Sequence, residues 1–273
     1  DLAAEASDFL HSLGSVDVEP GVRVVAEPNN RVQLRYRAGV RVGERLSGGV
    51  PPWRWAELAP LVTDCDAIYV NFISGFEMEL ETVQELRSRF AGPIYADLHS
   101  LFLGIGREGE RIPQPLPHWA EWLRSFDAVQ MNEDEFHLLA RREGDPWALA
   151  ARAVGPDLKL TTITMGERGA AYVAAADFEP DPFAWDVARA RMASTGPARS
   201  GRVPTTGPAA DGDPTGCGDV WGSTTFARHL AGDSLEHAMK TANRMAARNV
   251  EHRGARGLGL HLRGRIATGG NDS

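Results

Sequence analysis

The residues best suited to chemistry are seven consecutive positions, 213–219, with the sequence DPTGCGD, placed directly before a segment of helical periodicity. The two glycines allow a tight turn in which several backbone N–H groups point at one spot, and a helix start adds about half a positive charge. The amides of Gly216, Cys217 and Gly218 are therefore a candidate anion hole for a phosphoryl group. Asp219 would repel a bound anion, but its carboxylate suits deprotonation of a hydroxyl that attacks the phosphoryl group. A plain glycine-rich turn, with Asp219 stabilising the helix start, explains the same residues equally well.

Two further motifs directly follow predicted strands. Asn132 and Glu135 belong to the segment NEDE, and Thr164, Gly166 and Gly169 belong to the segment TMGERG. Each motif is weak alone. Together with the glycine-rich segment, in this order and spacing, they resemble the ribokinase-like (PfkB) carbohydrate and nucleoside kinases, whose C-terminal signature is Asp-Thr-x-Gly-Ala-Gly-Asp before a helix. The resemblance covers approximately residues 20–260.

The resemblance implies a role for each matching residue. Asp219 matches the catalytic base of the family, and the amides of residues 216–218 match its anion hole. Asn132 and Glu135 match the motif that places magnesium and the phosphates. The positions expected beside ATP are Thr164, Gly166, Gly169, Thr215 and Asn243. Some family members also bind a monovalent cation ahead of the anion hole, which would put K⁺ near Asp213.

The sequence departs from the family pattern at two places. Cys217 stands where the family usually has alanine, and the helix start would lower the pKa of its thiol and make it sensitive to thiol reagents. The core strand with which family members usually begin, carrying a substrate-binding aspartate and a Gly-Gly-Asn-like element, is expected to be absent, because Gly48 and Gly49 lead into a Val-Pro-Pro segment. The residues that bind the acceptor therefore stay unassigned. His99, beside Asp97 at a strand end, is a candidate for substrate contact, although a surface-loop histidine is the better explanation.

The elements that must position these residues follow from hydrophobic periodicity. Short apolar strands alternate with helices between residues 65 and 165, as is typical of a parallel sheet covered by helices on both faces. We therefore expect an α/β fold, ribokinase-like by resemblance, with a mostly parallel central sheet and a small β lid. Residues 22–36 are predicted to form a β-hairpin around the turn formers 27–30. Residues 176–212 lack periodicity and are predicted to be a long surface excursion, followed by two helices.

These elements predict a division of the chain into two parts. A hairpin lid would occupy residues 20–50, with a helical lead-in at residues 1–19. An α/β nucleotide-binding core would occupy residues 51–273. The half-polar face of the hairpin permits a homodimer through the lid.

Composition excludes several functional classes. The 273 residues carry a formal net charge of −8, which argues against nucleic acid as a partner. Two cysteines cannot form a disulfide framework, so a reducing, cytoplasmic setting is expected. No apolar run is long enough to cross a bilayer, and no membrane partner is expected.

The motifs and the resemblance lead to one expectation and two alternatives. We expect an ATP- and magnesium-dependent kinase acting on a hydroxymethyl group of a small sugar, sugar derivative or nucleoside, with the lid excluding water. The first alternative is a ribokinase-like protein that has lost catalysis and binds a ligand or a partner. The second is a nicotinamide-dependent oxidoreductase. Residues 104–109 (GIGREG) match its fingerprint by letter, but a proline-containing segment follows where a helix should open.

Overall fold

The computed structural model describes residue 8 and residues 22–37, 40–141, 144–186, 196–206, 212–255 and 257–264. In chain order the strands are β1 (Arg31–Arg37), β2 (Val40–Ser47), β3 (Ile68–Asn71), β4 (Ile94–Asp97), β5 (Leu103–Ile105), β6 (Arg111–Pro113), β7 (Ala128–Asn132), β8 (Leu160–Thr164), β9 (Ala170–Ala174) and β10 (Arg199–Val203). The α-helices are α1 (Trp55–Val62), α2 (Leu80–Arg89), α3 (Trp119–Arg124), α4 (Glu133–Leu139), α5 (Pro146–Ala153), α6 (Cys217–Leu230), α7 (Leu235–Val250) and α8 (Leu258–Leu262). Short 3₁₀ turns cover His99–Phe102, Gly166–Arg168 and Pro182–Ala184.

A six-stranded sheet forms the centre of the molecule, in the order β10-β9-β8-β7-β4-β3. Strands β3, β4, β7 and β8 run parallel, β9 pairs with β8 in antiparallel orientation, and β10 pairs with β9 in antiparallel orientation. The carboxyl ends of the four parallel strands therefore meet at one edge of the sheet. This architecture confirms the expected α/β class with a mostly parallel central sheet and a small antiparallel strand pair.

Helices bury the sheet on both faces, which explains why its strands read as nearly continuous apolar runs. On β4, Ile94 and Ala96 belong to the core cluster that includes side chains of α2 to α5. Tyr95, between them, points to the opposite face and packs against Phe226 of α6, with 5.3 Å between the ring centroids. Met239 of α7 lies in the same second cluster. The two layers fix the start of α6 relative to the strand ends.

The hairpin differs from the prediction in which two segments pair. Strand β1 confirms the second predicted strand, but its partner is β2, which follows it in the chain, with Arg31 opposite Ser47. The predicted first strand is wrong, because residues 22–30 form no strand and the turn formers pack against the segment after β2. There Gly49 N donates to Pro28 O at 3.1 Å, and Val50 N donates to the Asn30 side chain at 3.2 Å. The predicted lead-in at residues 1–19 lies outside the described residues, apart from residue 8.

Two other segments also correct the sequence-based expectations. The predicted excursion at residues 176–212 contains β10, which pairs with β9 and completes the central sheet. The GIGREG segment spans the turn between β5 and β6, so it is a hairpin and does not open a helix. The dinucleotide fingerprint, and with it the oxidoreductase alternative, therefore has no structural support. Among the helices that the structure describes, none has the length and apolar character needed to cross a membrane.

Candidate active site

A cleft of about 440 Å³ opens at the carboxyl edge of the sheet, between the strand ends, the start of α6 and the hairpin. Crevices at the carboxyl ends of parallel strands are the usual ligand sites of α/β folds, and this volume lies in the range of small-molecule pockets. The cleft brings together most of the motif residues predicted from the sequence: Asn132, Glu135, Thr164, Thr215, Gly216, Gly218 and Asp219.

Asp219 lies in the first turn of α6 and lines the cleft. Gly216 is the N-cap of this helix and has a φ of 80°, a left-handed conformation that glycine adopts without a Cβ penalty. The side chain of Asn71, at the end of β3, donates from Nδ2 to Asp219 Oδ1 at 2.5 Å. This hydrogen bond fixes the carboxylate at the N-terminus of α6, and Asp219 still lines the cleft.

The predicted anion hole is only partly open. Gly216 and Gly218 line the cleft, but Cys217 does not, because its amide donates to the carbonyl of Pro214 at 3.1 Å. The expectation that all three amides face a phosphoryl group is therefore corrected at Cys217. Gly216 and Gly218 are the members of the predicted anion hole that line the cleft.

Asn249 holds this loop in place from α7. Its Nδ2 donates to Thr215 O at 2.9 Å and to Cys217 Sγ at 3.3 Å. Asp213 also holds this loop, because its Oδ1 accepts a hydrogen bond from Thr215 N at 3.0 Å. Hydrogen bonds from Thr215 lower the pKa of the Asp213 carboxyl. Asn249 is a positioning residue that sequence reasoning missed, because a single polar residue on a long helix carries no motif.

The thiol of Cys217 does not have the environment predicted for it. Burial raises its pKa, and the nearby carboxylates of Asp213 and Asp219 act in the same direction, against a hydrogen bond from Asn249. Its Sγ also donates to Ala246 O at 3.4 Å. Desolvation therefore argues against the expected sensitivity of this thiol to thiol reagents.

Asn132 and Glu135 form a capping box at the junction of β7 and α4. Glu135 N donates to Asn132 Oδ1 at 3.0 Å, and Asn132 N donates to Glu135 Oε2 at 2.7 Å. His99 Nδ1 pairs with the other oxygen, Glu135 Oε1. The motif therefore has a structural role as well as a place on the cleft, and His99, whose side chain is 40% exposed, lines the cleft too.

The donor set at this junction is sparse for a metal. Within the described part of the chain, no group of three or more His, Cys, Asp or Glu side chains could hold a metal ion. Glu135, which is 5% exposed, and Asn132 offer hard oxygen atoms at the cleft. Mg²⁺ commonly keeps several waters and takes one or two carboxylates plus substrate phosphates, so this donor set fits it.

Three of the residues predicted beside ATP do not line the cleft. A Cβ at Gly169 would collide with the carbonyl of Val203, so this glycine permits close packing of β9 on β10. Gly166 lies in the 3₁₀ turn after β8, outside the cleft lining. Asn243 accepts from Trp221 Nε1 at 2.7 Å and donates to Val203 O at 3.0 Å, so its side chain ties α7 to α6 and β10. Only Thr164 and Thr215 of that set lie on the cleft.

A buried polar pair that carries no sequence motif also lines the cleft. Asp97 and Gln130 are opposite each other on β4 and β7, and Gln130 Nε2 donates to Asp97 Oδ2 at 2.8 Å and to Gly218 O at 3.1 Å. Burial raises the pKa of Asp97 to about 7, and Glu135 and Asp219 add to the effect. The available sequence signals were a polar residue at the end of the apolar strand β4, Asp97, and a polar residue within β7, Gln130.

Comparison with known proteins assigns the chain to a family. Residues 110–260, more than half of the chain, match the sequence profile of the pfkB family carbohydrate kinases. The chain belongs to this family. No curated protein matches it by sequence.

Three solved structures illustrate the fold of this PfkB-family chain. Ribokinase from Thermotoga maritima superimposes with a TM-score of 0.65 at 17% identity, over 97% of this chain and 77% of that protein. Adenosine kinase from Anopheles gambiae gives 0.66 at 16% identity, over 98% and 74%. A putative ribokinase II from E. coli, in complex with ATP and Mg²⁺, gives 0.57 at 18% identity, over 84% and 67%. The ribokinase-like fold is therefore shared along nearly the whole chain.

Proposed function

We propose that the protein transfers the γ-phosphoryl group of ATP to a hydroxymethyl group of a small sugar, sugar derivative or nucleoside. The observation that carries this proposal is the position of Asp219, which lines the cleft beside Gly218 at the start of α6 and is held by Asn71. The same cleft thus contains a base that could deprotonate the acceptor hydroxyl, Asp219, and the N-terminus of α6, which could stabilise the charge of the phosphoryl group. The ATP and Mg²⁺ of the E. coli structure support the choice of donor.

The chemistry of this arrangement follows from charge. Asp219 accepts the proton of the acceptor hydroxyl as the oxygen attacks the phosphorus, and ADP leaves. Negative charge on the transferred group lies at the helix start beside Gly216 and Gly218, where backbone dipoles stabilise it. Mg²⁺, which Glu135 and Asn132 would hold, would offset the charge of the donor phosphates. Positioning and charge stabilisation together provide most of the catalysis.

We propose that the hairpin of β1 and β2 is the lid of this cleft and the remaining described elements are its core. Val32 and Leu34 of the hairpin line the cleft. Leu46 N donates to Gly109 O at 2.8 Å, so the hairpin is joined to the β5–β6 turn of the core. A lid in this position excludes water from the phosphoryl group and limits hydrolysis of ATP. Pairing of two lids in a homodimer and a K⁺ site near Asp213 remain predictions.

Asp219→Asn tests the catalytic assignment. The amide preserves the shape of the side chain but cannot take a proton, so kcat is expected to fall at least ~100-fold. ATP-dependent thermal stabilisation should persist, because Thr164 and Thr215, which line the cleft and are predicted to lie beside ATP, are unchanged. Asp64→Asn, at an exposed position outside the cleft lining, is the matched control and should keep full activity.

Two results would oppose the proposal. Near-normal turnover in Asp219→Asn would remove Asp219 from the mechanism. A wild-type chain that binds ATP but transfers no phosphate to any member of a broad sugar and nucleoside panel would favour the inactive ligand-binding alternative.

A further inference from the structure

Gln130 is a buried polar side chain whose hydrogen bonds lead to the start of α6. It lies on β7, is 2% exposed, and donates from Nε2 to Asp97 Oδ2 at 2.8 Å and to Gly218 O at 3.1 Å. Burying an amide in an apolar strand costs free energy unless its polar atoms are hydrogen-bonded. One of the two partners that offset this cost is the residue directly before Asp219.

The orientation of the Gln130 amide is fixed by three partners. Both of its N–H groups are used, and its Oε1 accepts from the hydroxyl of Tyr95 at 3.3 Å. Tyr95 is held in turn, because its hydroxyl lies 2.8 Å from Thr162 Oγ1 on β8. A reversed amide would place Oε1 against the carbonyl of Gly218, where neither atom has a hydrogen to donate. The side chain thus connects α6 to the neighbouring strands β4, β7 and β8 in one arrangement.

Helix α6 approaches Gln130 closely because Gly222 has no side chain. A Cβ at Gly222 would lie 2.3 Å from Gln130 Oε1 and 2.4 Å from the hydroxyl oxygen of Tyr69, closer than real Cβ atoms come to other atoms. Gly222 follows Gly218 by about one helical turn, so both residues lie on the same side of α6. The first two turns of the helix therefore pack on the Gln130 side chain.

The hydrogen bond to Gly218 O acts on the peptide group that precedes Asp219. The carbonyl of Gly218 and the N–H of Asp219 belong to one planar unit, so fixing the carbonyl fixes the backbone from which the Asp219 side chain extends. Asn71 holds the other end of that side chain, at Asp219 Oδ1. One contact to the backbone and one to the carboxylate thus define the position of the proposed base.

We propose that Gln130 is a positioning residue that fixes the first turn of α6, and with it Asp219, against the carboxyl edge of the sheet. This inference rests on the proposed kinase function, and it assigns to Gln130 an effect on kcat that is exerted through Asp219. A displacement of about 1 Å can cost on the order of 100-fold in rate, so the loss of this hydrogen bond should be visible in kcat.

Gln130→Met tests this role, because methionine is flexible and apolar and fills a similar space but has no N–H donor. Phosphate transfer from ATP to the best acceptor of the sugar and nucleoside panel should show a kcat about 10-fold lower or more, with the KM for ATP within about 3-fold of wild type. In an Asp219→Asn background the same substitution should lower kcat by less than about 3-fold, because the group that Gln130 positions is already gone.

Thr162→Val is the matched control for the loss of buried hydrogen bonds. It removes a hydroxyl that contacts Tyr95 and donates to Val129 O at 3.1 Å, one step further from α6 in the same network. Its kcat should stay within about 2-fold of wild type, because the bond from Gln130 to Gly218 O remains.

Hydrogen exchange, followed by NMR, provides a second measurement that needs no turnover. The amides of Cys217 and Val220 form hydrogen bonds at the start of α6 and should exchange about 5-fold faster or more in Gln130→Met. Gly222→Ala, in which the added methyl group pushes α6 away from the amide, is the second variant and should act in the same direction. Thr162→Val should leave both rates unchanged.

Each outcome bears on the inference separately from the function. Unchanged kcat or unchanged exchange in Gln130→Met, an equal effect in Thr162→Val, or an undiminished loss of kcat in the Asp219→Asn background overturns the inference and leaves the kinase function intact. If no acceptor of the panel is phosphorylated, the proposed function fails and exchange alone decides the inference. Faster exchange in Gln130→Met and Gly222→Ala then supports it, and unchanged exchange overturns it.

Discussion

Cys217 lies at the first position of α6, where two effects act on its thiol in opposite directions. A helix start favours a thiolate, whereas burial favours the neutral thiol. Burial dominates here, and the carboxylates of Asp213 and Asp219 add to it, so the pKa of the thiol is raised. The residue therefore serves the loop through packing, with Sγ in hydrogen-bond contact with Ala246 and Asn249.

Alkylation kinetics test this assignment. In a Cys65→Ser variant, which leaves Cys217 as the only thiol, iodoacetamide at pH 8 should react at least ~10-fold more slowly with the folded protein than with the urea-unfolded chain. In the matched Cys217→Ser variant, the exposed Cys65 should react at similar rates in both states. Rapid alkylation of folded Cys65→Ser would contradict a half-buried Cys217 with a raised thiol pKa.

The motif residues of the site were predictable because each lies within a short sequence segment. Asp219 and its neighbouring glycines needed only their spacing and the helix that follows. Asp97 and Gln130 were not predictable together, because they are 33 positions apart and become neighbours only through the pairing of β4 and β7. Asn243 was assigned to the nucleotide from the resemblance, yet its hydrogen bonds to Val203 and Trp221 are structural.

The β8–β9 connection depends on two glycines with different surroundings. Gly169 has a φ of 87°, and a Cβ there would lie 2.7 Å from Thr205 N. Gly166 has a φ of 57°, and its Cβ would meet nothing within 4 Å. The first position thus combines backbone strain with a steric collision, whereas the second has strain alone.

Alanine substitutions should separate these two costs. Gly169→Ala is expected to lower the free energy of unfolding by about 3 kcal/mol or more, because β9 must move away from β10. Gly166→Ala should cost only about 1–2 kcal/mol, the price of a left-handed conformation for an L-residue. Urea denaturation followed by circular dichroism measures both. Equal losses in the two variants would argue against the close β9–β10 contact.

The central part of the fold was predictable and its edges were not. Strands β3, β4, β7 and β8 are buried on both faces, so their apolar runs were recognisable in the sequence. Strand β10 is an edge strand with the sequence RSGRV and mostly exposed side chains, and only its pairing with β9 makes it a strand. The hairpin register depended on contacts of residues 27–30 with residues 48–50, which no local pattern reports.

For the whole molecule, two buried titratable groups oppose each other in the pH dependence of stability. Asp97 has a pKa raised to about 7, mainly by burial, so the folded state holds a proton that the unfolded chain has released, and stability is lost as pH rises from about 4 to 7. His229 has a pKa lowered by burial, so the unfolded chain gains a proton that the folded state resists, and stability is lost as pH falls below 6.5. The two contributions partly cancel between pH 5 and roughly 6.5, and each becomes visible when the other is removed.

His229→Phe removes the contribution of His229 to the pH dependence of stability. The ring of His229 stacks on Phe178 at 5.8 Å and lies 5.7 Å from Trp185, its Nε2 has no hydrogen-bond partner among the described residues, and the ring hydrogen-bonds the backbone of Pro180. Phenylalanine keeps the ring packing and has no proton to gain, and the loss of the bond to Pro180 lowers stability at every pH. Relative to wild type, the variant should gain stability as pH is lowered from 7 to 5, by at most about 1.4 kcal/mol per pH unit. Asp97→Asn, measured in the same urea series, should show the opposite trend and gain relative stability as pH rises from 5 to 7. A difference from wild type that is constant with pH in either variant would mean that the substituted group is solvated in the folded protein.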